Sequence, residues 1–198
     1  MIIDENLLLE NGAVYEDYPA KEIIFQTGDT PHFYFQIVKG TVELNNYHED
    51  GKEFTLNILR EGQSIGESLL FSEKKYPMNA VAKTDCTVLK LSKANFLRLV
   101  CENRDVMLRI LENLSDRLFY KYVMLFNNSA SEPSTKIRSL MDYLKECAHQ
   151  QERYTYEVPL TRQQIANLTG LRVETVIRAV KKMEQDDILK LEGRQIMY

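Results

Sequence analysis

Residues Thr161 to Met183 read TRQQIANLTGLRVETVIRAVKKM, an order that makes sense as two short helices docked across a tight turn. Thr161 suits the cap of a first helix, with Gln164 three places on where a capping box wants Glu or Gln. Ile165 and Leu168 supply its apolar stripe, and Gly170 ends it by permitting a left-handed turn. A second apolar set, Val173, Val176, Ile177, Val180 and Met183, then restarts at helical spacing. The stretch predicts a helix-turn-helix.

The other face of the second helix carries Arg172, Glu174, Thr175, Arg178, Lys181 and Lys182. Arg can grip guanine O6 and N7 in a fork, and Glu can accept from the cytosine amine. On an isolated helix such a face reads as solvated, with Glu174 complementing the helix N-terminus. The preceding helix and glycine turn favour DNA, as do five basic residues against one acidic between Arg162 and Lys182. Arg172 stands at the N-cap, where Ser or Thr is normal, and this misfit points to a phosphate contact.

The whole chain has 198 residues, 44% hydrophobic and 27% charged, which is ordinary for a globular protein with two modest cores. Its net charge of −4 is unevenly spread. Residues 134–198 hold 11 Lys+Arg against 9 Asp+Glu, and the remainder 14 against 20. A basic C-terminal part on an acidic body is expected when one domain meets phosphate. No run has the apolar length of a membrane span, and MIIDENLLLENG is acidic where a signal peptide is basic, so a cytoplasmic protein is expected. Cys86, Cys101 and Cys147 are far apart and lack CxxC spacing, which predicts buried free thiols rather than disulfides or zinc.

Upstream of the reading pair, residues 5–10 suit a short helix, and Lys21 to Leu91 changes to short apolar runs punctuated by glycines. Ile23–Phe25, Phe33–Val38, Val42–Leu44, Phe54–Leu59 and Thr87–Leu91 predict strands that close as a jelly roll or small barrel. Within it, GQSIGESLL (Gly62–Leu70) combines glycines that let backbone approach a ligand with Glu67, which reads equally as a buried acceptor or a surface carboxylate at a tight corner.

From Asn103 to about Phe126 the period is helical. Leu111, Leu118 and Leu125 repeat every seven residues, with Met107, Leu114 and Lys121 as companions, the pattern of a coiled-coil seam; the alternative is a helix lying on its own barrel. Asn127–Ser134 is polar and aperiodic and reads as a hinge. Ile137, Leu140, Met141, Leu144 and Cys147 predict a supporting helix that buries Cys147, and Tyr154–Val158 a strand. Ile188–Leu191 and Gln195–Tyr198 flank Glu192-Gly193-Arg194 as a hairpin wing, with Arg194 near a phosphate. The reading is thus α+β: a β-roll over 1–102, a dimerisation helix over 103–127 and a winged helix-turn-helix over 128–198.

With these pieces assembled, the chain resembles the family of the cyclic-AMP receptor protein and the fumarate and nitrate reduction regulator. The resemblance is carried by FYFQIVKGTVEL (Phe33–Leu44), EGQSIGE (Glu61–Glu67), AVAKTDCTVLKLS (Ala80–Ser92) and LTRQQIANLTGLRVETVIRAVKKME (Leu160–Glu184). It implies that the roll is a sensor like a cyclic-nucleotide-binding domain, that the long helix pairs two subunits, and that the winged helix binds a palindromic operator to recruit or block RNA polymerase. Glu174 and Arg178 fall on the family's base-reading glutamate and arginine. Gly66, Glu67, Tyr76 and Lys121 are the residues assigned to an effector pocket.

Departures from the family pattern limit the effector. Where its cyclic-nucleotide binders have Arg-Ser for the phosphate, this chain runs Lys75-Tyr76-Pro77-Met78, and no cysteine precedes Cys86 to hold an iron-sulfur cluster. Val173 replaces the arginine of the nucleotide-sensing branch, and Ile177 departs from the serine of the oxygen-sensing branch. The expectation is a homodimeric regulator without cofactor that responds to an effector other than cyclic AMP or binds constitutively. Two other readings are a haem-based gas sensor using His32 or His48 and a cupin-like metal protein; the three histidines, the third being His149, are scattered.

Overall fold

The structure, a computed structural model, describes residues 1–47, 49–51 and 53–198. His48, one of the two histidines weighed as a haem ligand, lies outside the described residues. The chain forms two compact units, Met1–Leu118 and Phe119–Tyr198.

The first unit begins with α1 (Glu5–Glu10), capped by the Asp4 carboxylate, which accepts from the Leu7 N–H at 3.1 Å. Among the described residues eight strands follow: β1 (Val14–Tyr18), β2 (Ile23–Phe25), β3 (Phe33–Lys39), β4 (Val42–Tyr47), β5 (Glu53–Leu59), β6 (Ser64–Ile65), β7 (Asn79–Ala82) and β8 (Cys86–Ser92). They form two antiparallel sheets, ordered β1-β8-β3-β6 and β2-β7-β4-β5. All five strands expected from the sequence are present; β1, β6 and β7 are additions.

Strand β8 shows why its apolar run is continuous. Cys86 and Val88 enter the core inside the roll with Phe25, Phe35, Val42, Leu44 and Tyr76. Leu89 and Leu91 face the opposite way, into a second core with Ile3, Leu8, Tyr34, Phe96 and Ile110. A strand covered on both faces has no polar alternation to keep. This second core is roofed by α2 (Lys93–Glu102), which the sequence reading did not assign, and by the start of α3 (Arg104–Asn128). Tyr34 stacks on Phe96 with ring centroids 4.5 Å apart. Below them the buried Gln36 amide clamps the N-terminal segment, accepting from Ile3 N–H at 3.0 Å and donating to Ile3 C=O at 2.8 Å. Fully burying each such large side chain contributes about 1.5–3 kcal/mol.

The faces of helix α3 differ in burial. Val106 and Ile110 are buried in the roll's second core and Leu114 is packed against it. Leu108, Leu111, Leu118, Tyr122 and Leu125 are at least half exposed. The exposed apolar residues 108, 111, 118, 122 and 125 therefore form a row along α3, with the exposed Ser115 filling the three-and-four spacing between 111 and 118. Leu114, expected as a companion in the seam, belongs to the roll, because residues 106, 110 and 114 share one helical face.

In the second unit the end of α3 packs by Tyr120, 4.9 Å from the Tyr143 ring, and burial pushes the Tyr120 phenol up to about 12. A break at 129–132, inside the expected hinge, leads to α4 (Pro133–Cys147), with Pro133 in its first turn and Ile137, Leu140 and Met141 buried against α5 (Arg162–Thr169) and α6 (Val173–Gln185). The hairpin β9 (Lys190–Glu192) and β10 (Gln195–Met197) closes the unit.

Three expectations need correction here. Cys147 is exposed, not core, because α4 turns its last residues out past the buried 137–140–141 face. Cys101 is exposed too, so Cys86 alone is the buried thiol. Tyr154–Val158 makes a single bridge, Glu157 to Met197, rather than a strand; Tyr154 adopts φ 62, which breaks extended pairing before it.

Candidate nucleic-acid interface

Helix α5 starts with a complete capping box: the Thr161 hydroxyl accepts from Gln164 N–H at 3.2 Å, and the Gln164 side chain accepts from Thr161 N–H at 2.8 Å. It ends at Gly170, whose φ of 69 is left-handed, and the chain reverses with Leu171 N–H donating to Ala166 C=O at 3.0 Å. Arg172 is the N-cap of α6, with extended φ/ψ and no side-chain capping bond. Its backbone C=O accepts from Val176 N–H at 3.1 Å, which leaves the guanidinium outside the helix.

Val176, Ala179, Val180 and Met183 fix how α6 is rotated, all four being buried. That rotation exposes Arg172, Glu174, Ile177, Arg178, Lys181 and Lys182 together and leaves Thr175 half-buried. Of the residues named for this face, all but Thr175 are exposed. The wing turn places Arg194 exposed, and its C=O accepts from the Arg162 guanidinium of α5. Partial burial lowers the Arg162 pKa from its ordinary value. Glu184 of α6 accepts from Leu191 N–H at 3.2 Å, tying the wing to the second helix as well. A convex surface of cations and one carboxylate, with pre-formed helix and turn, can meet a phosphate backbone and present an acceptor and a guanidinium fork to base edges.

In the roll, Gly66, Glu67 and Tyr76 come together. Gly66 (φ 68) opens a short 3-10 turn over Glu67–Phe71, and a Cβ at Gly66 would fall 2.8 Å from the Tyr76 ring and 3.0 Å from Phe25. Tyr76 is buried and stacked on Phe25, with centroids 3.7 Å apart and planes 8° apart. Its hydroxyl has no hydrogen-bond partner among the described residues. Burial, then the Glu67 charge, raise its pKa above the ordinary value.

The Glu67 side chain is 0% exposed and is held by α3: Arg117 donates to it at 3.1 Å and Asn113 at 3.0 Å. Arg117 also donates to the Ser64 C=O. Phe25, Asn113 and Arg117 were not read from the sequence as part of this site. The signal was a polar pair four residues apart on the face that carries Val106, Ile110 and Leu114. Lys121, assigned to the same pocket, belongs to the second unit, where its ammonium lies 5.3 Å from the Tyr120 ring centroid. Among the described residues no group of three or more His, Cys, Asp or Glu could hold a metal ion, and no helix is long and apolar enough to cross a membrane.

A roll followed by a long helix and a winged helix-turn-helix defines the class of DNA-binding transcription regulators with a nucleotide-binding-like domain. Two family models match in that order: the cyclic nucleotide-binding domain over residues 15–103 and the Crp-like helix-turn-helix domain over residues 138–198. The chain belongs to the CRP/FNR family of transcription regulators. It is 29% identical over 182 residues to the cAMP-activated global transcriptional regulator CRP of Salmonella typhimurium, covering 91% of this chain and 87% of the relative. It is 25% identical over 185 residues to the cAMP-activated global transcriptional regulator Vfr of Pseudomonas aeruginosa, covering 91% and 86%. Its fold is similar to that of the c-di-GMP responsive global regulator CLP of Xanthomonas campestris, with a TM-score of 0.77 at 22% identity and 98% of each chain covered.

Proposed function

We propose that the protein acts as a homodimer that reads a palindromic operator through two copies of α6 and so recruits or blocks RNA polymerase in the cytoplasm. The observation that carries this reading is the exposed face of α6, where Glu174 and Arg178 stand side by side above a buried apolar stripe, with Arg172, Lys181, Lys182 and Arg194 around them. Glu174, Thr175 and Arg178 contact bases; the other four residues contact phosphates. The exposed leucine row of α3 supports pairing, because two-fold symmetry then matches the two half-sites. Similarity to cAMP-activated regulators supports a sensing roll, but the donor set does not fit a cyclic phosphate: Tyr76 stands where the clamp's arginine is expected, and Arg117 is engaged with Glu67. The protein therefore answers to an effector other than cyclic AMP or binds DNA constitutively. Selection of genomic fragments by the purified protein, followed by footprinting, tests the reading. A protected inverted repeat is expected; sequence-independent coating of DNA overturns it.

A further inference from the structure

Ile177 is 43% exposed and, among the described residues, is the one exposed large apolar side chain of the second unit outside α3. It stands in the middle of α6, three residues after Glu174 and next to Arg178. Neither the core nor the helix asks for it there. The core of the reading pair is filled by Val176, Ala179, Val180 and Met183, and a β-branched residue is a poorer helix former than the Lys, Arg or Glu usual at an exposed position. Thr175, the other methyl-bearing residue of this face, is half-buried, and so is Val173. The floor of the major groove offers a side chain of this kind one apolar partner, the C5 methyl of a pyrimidine, which in ordinary DNA is that of thymine.

Given the DNA-reading role proposed for α6, we infer that Ile177 is a specificity-determining residue that packs on a thymine methyl. It fixes T at one position of each half-site, next to the bases met by Glu174 and Arg178. Glu174 and Arg178 read by hydrogen bonds, which neither see nor need the methyl, so the Ile177 contribution is separable by chemistry that removes one methyl and nothing else.

The probe is the duplex that the wild-type protein selects from a random library. Each thymine of its half-sites is replaced in turn, symmetrically, by uracil, which keeps every hydrogen-bonding edge. One position is expected to weaken wild-type binding about fourfold per half-site, or roughly fifteenfold for both, the value of one buried methyl. At that position 5-methylcytosine should bind better than cytosine. Ile177→Ala, an exchange to a better helix former, should bind the thymine and uracil duplexes equally and show no preference between cytosine and 5-methylcytosine. Specific binding with no uracil penalty anywhere, or a penalty that persists in Ile177→Ala, overturns the assignment while leaving the DNA-reading role intact. Failure of the wild type to select any sequence overturns both.

Discussion

Arg117 of α3 donates to the Glu67 carboxylate across 3.1 Å, so a helix turn and a roll corner fifty residues apart in sequence are joined by an ion pair inside the first unit. Glu67 is wholly buried, Arg117 mostly so, and Asn113 supplies a further donor. A buried pair adds little over apolar packing, but removing one partner strands the other charge. Arg117→Ala should therefore destabilise the first unit by roughly 2 to 4 kcal/mol. Arg117→Ala with Glu67→Gln should recover part of that loss, since no charge is left unpaired. Urea unfolding of the full chain measures both; a double variant no better than Arg117→Ala would show that the loss is packing, not charge.

The same pair bears on the effector. A cyclic phosphate buried in a roll needs a compensating cation and donors, because an unpaired anion there costs several kcal/mol. Tyr76 remains a neutral phenol at neutral pH, its pKa being raised by burial, and Pro77 has no N–H. Lys83 is engaged with Glu43 at 3.1 Å, and Lys74 and Lys75 are exposed. Calorimetry with cyclic AMP and cyclic GMP should show no micromolar binding, and neither nucleotide should tighten operator binding. Micromolar affinity with enhanced operator binding refutes this.

Glu43 on β4 gives a pH signature. Its side chain is 1% exposed; burial raises its pKa above the ordinary carboxylate value, the hydrogen bond from Lys83 opposes this, and Glu53 beside it reinforces the rise. In the window just above that ordinary value the native state holds a proton that the unfolded state has released, so stability falls as pH rises through it. Glu43→Gln should thus raise the melting temperature at neutral pH, with the gain shrinking toward pH 4. A gain that does not change with pH would mean that the carboxylate is not the cause.

These relationships differ in how far the chain announces them. The capping box of Thr161 and Gln164, the Gly170 turn and most of the stripe of α6 are local, completed within a few residues, and were legible; Ile177, expected in that stripe, is exposed, and Ala179 is buried in its place. The five expected strands were legible from β-branched runs, whereas β1 (VYEDY) is half polar and β7 (NAVA) is built of small residues, so neither stands out by composition. Helix α2 follows β8 with Ser92 serving both as strand end and as N-cap, which hid the change of period. The partner of Glu67 could not be read at all, since pairing across fifty residues depends on where α3 crosses the roll. The leucine row was visible, but which neighbours flank it depends on which side of α3 the roll covers.

That last point is testable. With the seam running through Leu108, Leu111, Leu118, Tyr122 and Leu125, Leu111→Lys with Leu118→Lys should give monomers that lose operator binding, because one half-site contact set is too weak alone. Leu114→Ala should instead cost about 1 to 2 kcal/mol of roll stability and leave the dimer intact, since Leu114 packs on the roll's core. Sedimentation velocity beside urea unfolding separates the outcomes. A Leu114→Ala monomer, or a Leu111→Lys, Leu118→Lys dimer, places the seam elsewhere.

For the reading face, two kinds of contact predict two kinds of loss. Glu174 and Arg178 lie on the exposed side of α6 proposed to meet base edges, and each substitution to Ala should cost about 1 to 3 kcal/mol on the preferred site and flatten sequence preference, with a smaller change on nonspecific DNA. Arg172 is different: it holds the N-cap without making a capping bond, so its guanidinium is available to a phosphate. Arg172→Ser should restore a normal cap and stabilise the helix by about 0.5 to 1 kcal/mol. Binding to all sequences should nonetheless weaken, and the slope of log affinity against log salt should fall by about one per subunit. Titrations of the three variants at several salt concentrations decide it: an Arg172→Ser protein that binds its operator as wild type does at every salt concentration would show that Arg172 makes no phosphate contact.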